Sequence, residues 1–169
     1  MKKNLVLLGM MGVGKTTLGK IVAEKQKINF VDIDLNIEKK NSMKIKDIFE
    51  KKGEDFFRSE EQKEVVESMK KNDCVIALGG GAFINKTIRE SVLKNGISIW
   101  LDVDVNTLNK RVRWNKKRPL LNEKNNLKKL NELYSKRKKI YKLSNYKIVC
   151  KNRSKKDIVE EIISIYEKH

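Results

Sequence analysis

Eight residues near the start of the chain, Gly9-Met10-Met11-Gly12-Val13-Gly14-Lys15-Thr16, have the types and spacing to hold a polyphosphate. The pattern is G-x-x-x-x-G-K-[ST], whose glycines let successive backbone N–H groups converge on phosphate oxygens at the positive end of a following helix. Lys15 would reach the β- and γ-phosphates, and the Thr16 hydroxyl would ligate Mg²⁺. A nucleotide site over Gly12, Val13, Gly14, Lys15, Thr16 and Thr17 is therefore expected. A secretory signal behind Met1-Lys2-Lys3 is excluded, because Gly-Lys-Thr-Thr cuts the apolar run and no small-residue cleavage site follows.

Three further groups could act on what the loop holds. Asp32-Ile33-Asp34 offers one carboxylate to support a hydrated Mg²⁺ and another to accept a proton from an attacking hydroxyl. Helix capping by Asp34, ahead of Leu35-Asn36-Ile37, is an equal alternative on spacing alone. Gly79-Gly80-Gly81 follows an apolar run and reads either as a plain turn or as a place where backbone N–H groups meet a ligand. The chain has seven arginines among its 39 basic residues, the other thirty-two being lysines. An arginine retained in so lysine-rich a chain points to bidentate grip on carboxylate or phosphate. Arg89 and Arg113 are the two read as chance positions.

These residues need a frame. Leu5-Val6-Leu7-Leu8 is apolar without interruption, as in a strand covered on both faces. Leu18, Ile21 and Val22 then share one helical face. The pattern predicts strands over 4–8, 29–32, 74–78, 97–101 and 146–150. It predicts helices over 15–26, 34–40, 44–51, 56–71, 85–94, 104–114, 126–142 and 155–167. Such alternation builds a mainly parallel sheet with helices on both faces, and its ligands bind beyond the carboxyl ends of the strands. The loop, Asp32/Asp34, Gly79–Gly81 and Asp102/Asp104 all fall at such ends. The polar stretch holding Pro119, the only proline, reads as a lid over about 112–125.

With 169 residues the chain is expected to form one domain, and no apolar stretch reaches membrane-spanning length. Cys74 and Cys150 look like reduced, buried strand residues, and the only histidine, His169, like a frayed end, so a general base must be a carboxylate. The net charge is +17, and residues 108–156 carry nineteen Lys/Arg against Glu123 and Glu132. That excess is mostly lysine without interleaved aromatics, which fits a solvated face and attraction of anionic substrates more than specific nucleic-acid binding.

The ordered set of Gly9–Thr16, Asp32-x-Asp34, Gly53-Glu54-x-x-Phe57-Arg58-x-x-Glu61, Gly79-Gly80-Gly81, Arg118-Pro119-Leu120-Leu121 and Arg137-x-x-x-Tyr141 resembles the shikimate kinases along essentially the whole chain. The resemblance implies a three-layer α/β/α phosphate-loop kinase fold, with a five-stranded parallel sheet, a helical acceptor segment over about 33–61 and a mobile lid. It implies transfer of the γ-phosphoryl of ATP to the 3-hydroxyl of shikimate, with Mg²⁺, in a cytoplasmic monomer. Thr16 and, through water, Asp32 would hold the metal; Asp34 would contact the shikimate hydroxyls and act as base. Arg58 and Arg137 would clamp the carboxylate, Glu61 would orient Arg58, Phe49 and Phe57 would wall the ring, and Gly80 and Gly81 would donate N–H. Arg118 would close over the transferring phosphate, with Arg111 and Arg153 beside the adenine. The chain departs from the family at Lys151–Lys156, which lacks the usual proline. The rivals are another phosphate-loop small-molecule kinase, such as a gluconate kinase, and a basic nucleic-acid-binding NTPase.

Overall fold

The computed structural model describes residues 3–113 and 126–169. Five strands form one sheet: β1 (Asn4–Leu8), β2 (Asn29–Asp32), β3 (Cys74–Ala77), β4 (Gly96–Asp102) and β5 (Tyr146–Val149). Their spatial order is β2-β3-β1-β4-β5, and every pairing is parallel. Leu5 lies between Val75 of β3 and Ile97 of β4, so β1 is central, and all five of its residues are buried. A strand with helices over both faces has no polar side, which is why Leu5-Val6-Leu7-Leu8 does not alternate.

Eight helices complete the described residues: α1 (Lys15–Gln26), α2 (Ile33–Asn41), α3 (Ile45–Lys52), α4 (Glu54–Met69), α5 (Lys86–Asn95), α6 (Val105–Arg113), α7 (Asn126–Tyr141) and α8 (Lys155–Glu167). Side-chain caps start four of them, Asp104 accepting from Thr107 N–H at the head of α6. Asp32 accepts from Leu35 N–H at the head of α2, Asn85 accepts from Ile88 N–H at the head of α5, and Ser154 forms a reciprocal capping box with Asp157 on α8. Helix α1 has no side-chain cap; it begins after Gly14, whose φ of 101° is the left-handed conformation glycine reaches without a Cβ clash.

The described architecture is the expected three-layer α/β/α arrangement, with small corrections. Helix α2 starts at Ile33, so Asp32 and not Asp34 is the cap. Helix α4 starts at Glu54, immediately after Gly53, whose φ of 86° separates it from α3. A short 3₁₀ turn over Ala82–Ile84 was not foreseen; Ala82 N–H donates to Gly79 C=O and Ile84 N–H to Gly81 C=O, both at 3.1 Å. Arg89, taken as incidental, holds that turn by donating to Phe83 C=O at 3.1 Å and Ile84 C=O at 3.0 Å. His169 is not loose either, since its ring nitrogen lies 2.8 Å from the Tyr146 hydroxyl. Cys74 and Cys150 are free and buried, and burial pushes the Cys150 thiol up to about 11.

Among the described residues no helix is long and apolar enough to cross a membrane. The proposed lid and Arg118 fall largely on 114–125, outside the described residues.

Candidate active site

Because β3 lies between β1 and β2, the segments leaving those three strands meet at one end of the sheet. A cleft of about 500 Å³ opens there. The phosphate loop and first turn of α1 form one side of it, through Gly12, Gly14, Lys15, Thr16 and Thr17. The Lys15 ammonium donates to Gly9 C=O at 2.8 Å and Met10 C=O at 3.0 Å. Thr16 Oγ1 donates to Asp32 Oδ2 at 2.6 Å, while the other oxygen of Asp32 caps α2. One carboxylate therefore joins the heads of α1 and α2, and presents hard oxygen donors beside the loop.

The opposite side is built from charged side chains on helices. Asp34 sits in the first turn of α2, and Arg58 and Glu61 lie one turn apart on α4. Glu61 is 1% exposed, and its Oε2 accepts from Arg58 Nη1 at 2.7 Å. Burial raises the Glu61 proton affinity, and Arg58 works against that rise. Burial opposes the charge on Arg58, but Glu61 and Glu54 outweigh it and the guanidinium is held firmly protonated. Phe49 of α3 and Phe57 of α4 meet with ring centroids 4.8 Å apart and form the apolar wall. From α7 comes Arg137, which is buried, with its Nη1 making no hydrogen bond to the described residues. A buried guanidinium nitrogen with nothing to donate to is costly unless an anion arrives.

The glycine turn after β3 makes room for these groups. A Cβ on Gly79 would stand 2.6 Å from Glu61 Oε1 and 2.8 Å from Asp34 Oδ1, and one on Gly81 would stand 2.8 Å from Arg58 Nη1. None of Gly79, Gly80 and Gly81 has a positive φ, so close approach, not unusual backbone, is what demands glycine here.

Most of the residues assigned a site role from sequence thus share this cleft, but among the described ones Val13, Arg111 and Arg153 do not line it, nor do Asp102 and Asp104. Val13, within the loop, has its side chain buried. Arg111 reaches the loop from outside, donating to Gly12 C=O at 3.3 Å and Val13 C=O at 3.4 Å. Arg153 lies just before α8, ahead of its cap Ser154, paired with Glu161 and donating to Asp157 C=O at 3.3 Å. Six lining residues were given no site role from sequence: Met11, Leu35, Glu38, Ile45, Ala77 and Leu78. Glu38 was within reach of sequence reasoning, because it stands four residues after Asp34 on the same helical face. It accepts from Ile45 N–H at 3.0 Å and Lys44 Nζ at 2.9 Å, fixing the head of α3 over the cleft.

A nucleotide-type loop that shares one cavity with a cationic, aromatic-walled acceptor pocket is the organisation of a phosphate-loop small-molecule kinase. The family model described as "Shikimate kinase" matches residues 11–167. A shikimate kinase of Sulfurihydrogenibium sp. is 44% identical over 162 residues, covering 96% of both chains. Among solved structures, the shikimate kinase of Acinetobacter baumannii in complex with shikimate superposes with a TM-score of 0.95 at 34% identity, over 99% of this chain and 94% of that one. A gluconokinase of Sinorhizobium meliloti, at 15% identity and a TM-score of 0.61 over 98% of this chain and 94% of its own, shares the fold alone. The chain belongs to the shikimate kinase family.

Proposed function

We propose that this protein transfers the γ-phosphoryl group of ATP to the 3-hydroxyl of shikimate, giving shikimate 3-phosphate and ADP on the route to chorismate and the aromatic amino acids. The observation that carries this reading is the acceptor pocket: two arginines, one of them buried with a donor nitrogen unspent, stand across the cleft from the phosphate loop. Only an anionic acceptor repays that arrangement, and shikimate is a carboxylate.

Each residue has a part. The loop N–H groups and Lys15 hold the β- and γ-phosphates. Arg58 and Arg137 grip the shikimate carboxylate, with Glu61 fixing the fork of Arg58 and Gly80 and Gly81 donating N–H to the ligand. Phe49 and Phe57 cover the ring. The attacking hydroxyl forms the new P–O bond as the bond to the β-phosphate oxygen breaks, and its proton passes to Asp34. Phosphoryl transfer asks the protein mainly for alignment and charge neutralisation, so Lys15 on one side and Arg118 on the other carry the rate. The segment 112–125 acts as the lid that brings Arg118 in and excludes water. Arg111 and Arg153 border the adenine side.

The oxygen donors of Thr16 and Asp32 suit Mg²⁺, which takes few protein ligands and keeps water and phosphate oxygens for the rest. Bound with ATP, the ion neutralises charge on the β- and γ-phosphate oxygens. Thr16 would hold it directly, and Asp32 through water. Two free buried thiols suit a cytoplasmic setting.

A coupled ADP-release assay with shikimate, without acceptor and with gluconate tests the reading. ADP should appear with shikimate and stay near background in both controls. ADP production indifferent to shikimate would overturn it.

A further inference from the structure

Tyr141 ends α7 one turn beyond Arg137 and has no part in the chemistry above. It is 1% exposed, and its ring lies 5.8 Å from that of Trp100, so packing alone could account for an aromatic residue here. Packing does not account for the hydroxyl. That hydroxyl donates to the carbonyl of Gly80, the middle residue of the glycine turn, and lies 3.9 Å from the sulfur of Met10 in the phosphate loop. Burial pushes the phenol up to about 12, against the charge and hydrogen bond of the neighbouring Arg137, so it keeps its proton, and its ability to donate, throughout the working pH range.

The direction of this bond matters more than its strength. Gly80 C=O and Gly81 N–H belong to one peptide unit, and the described chain has no cis peptide bonds. In a trans unit the two groups point in opposite directions. A Gly80 carbonyl held toward the buried Tyr141 therefore turns the Gly81 N–H the other way, toward the cleft that Gly81 lines. The Arg58 guanidinium converges on the same spot, as the 2.8 Å between its Nη1 and a Cβ on Gly81 shows. Three consecutive glycines place little steric restraint on the backbone, and without a tether this peptide could rotate at little cost.

We infer that Tyr141 is a positioning residue for the acceptor: by pinning the Gly80 carbonyl it aims the Gly81 N–H at an acceptor oxygen, beside the guanidinium of Arg58. This rests on the proposed acceptor site. It gives Arg137-x-x-x-Tyr141 a division of labour, in which the arginine meets the ligand and the tyrosine sets the backbone that also meets it.

Tyr141→Phe keeps the ring against Trp100 and removes only the donor. The KM for shikimate should rise about tenfold, the scale of one lost hydrogen bond, while the KM for ATP stays within about twofold. Replacing Tyr141 by 4-aminophenylalanine, whose N–H can donate to the same carbonyl, should restore most of the shikimate KM. A merely structural role would lower the melting temperature and leave both KM values unchanged or shift them together, and either result overturns the proposal. Should Tyr141→Phe not fold, the wild-type protein labelled with ¹⁵N-glycine supplies the answer, since it has only nine glycine amides. The Gly81 amide must shift as shikimate saturates the site, and an unmoved Gly81 overturns the proposal. Wild-type protein that releases no ADP with shikimate defeats the underlying reading instead, so the two failures are told apart.

Discussion

The two sides of the cleft are made in opposite ways. The phosphate side is one contiguous stretch, Gly9–Thr16, acting mostly through backbone at the uncapped head of α1. The acceptor side draws on α2, α3, α4, the turn after β3 and α7, acting mostly through charged side chains that hold one another in place. A triphosphate is long and carries charge along its length, so a row of N–H groups suits it. A small ring with one carboxylate has to be gripped at a point and at a fixed angle, which calls for guanidinium forks. The contrast predicts that single side-chain changes on the acceptor side should damage shikimate recognition or chemistry while leaving nucleotide binding intact.

The strongest way to break that contrast is at Asp34. Asp34→Asn should lower kcat about 10²- to 10⁴-fold, the range for losing a general base, while ATP affinity measured by calorimetry stays unchanged. Normal turnover in this variant would remove Asp34 from the chemistry. The arginines come next. Arg58→Ala and Arg137→Ala should each weaken shikimate binding by about 1.5–3 kcal/mol, the scale of a hydrogen bond to a charged group. Loss of ATP affinity with normal shikimate affinity would reverse the assignment of the two sides. The pair should also differ from each other. Arg58→Ala leaves Glu61 buried without its counter-charge and should lower the melting temperature, whereas Arg137→Ala should lower it less, because its Nη1 gives up no protein partner.

The smallest effect sharpens the comparison through pH. Glu61 binds its proton more tightly in the folded protein than an ordinary glutamate at 4.5, so it becomes neutral earlier on acidification and loosens its hold on Arg58. The KM for shikimate should climb as pH falls toward the ordinary carboxylate range, while the KM for ATP changes little. By linkage the sign for stability is the reverse. A raised folded value means that Glu61's contribution is fully present below about 4.5 and is lost as pH rises through the folded value, so acid should impair recognition without this residue destabilising the fold. In Glu61→Gln the acid-dependent rise in KM should flatten; an unchanged slope would place the titration elsewhere.

Legibility in the sequence followed the same division. The strands were readable because a sheet covered on both faces leaves uninterrupted apolar runs such as Leu5–Leu8, and the loop because its chemistry is local. The acceptor residues were readable only as an ordered set of motifs. Nothing within Arg58-x-x-Glu61 announces that Gly81 lies against its guanidinium, since that contact spans more than twenty residues and depends on β3 lying beside β2. Asp34 was ambiguous because capping and catalysis ask for the same residue type at the same place; the structure gives capping to Asp32. Arg89 and Tyr141 escaped a role because each bonds to a backbone carbonyl, and carbonyls carry no mark in a sequence.

The strand order has a consequence for how such a catalyst can vary. β1 delivers the phosphate loop, β2 delivers Asp32 and Asp34, and β3 holds them apart by its own width. Neighbouring strands are about 4.8 Å apart, so the ends of β1 and β2 are spaced by roughly 10 Å, a length set by backbone hydrogen bonding and independent of any side chain. The sheet works as a ruler whose graduation mutation cannot alter. Helices and surface charge are therefore free to drift over evolutionary time without disturbing that spacing. The position that cannot drift is the end of the middle strand, where a single added methyl group at Gly79 would collide with both Glu61 and Asp34.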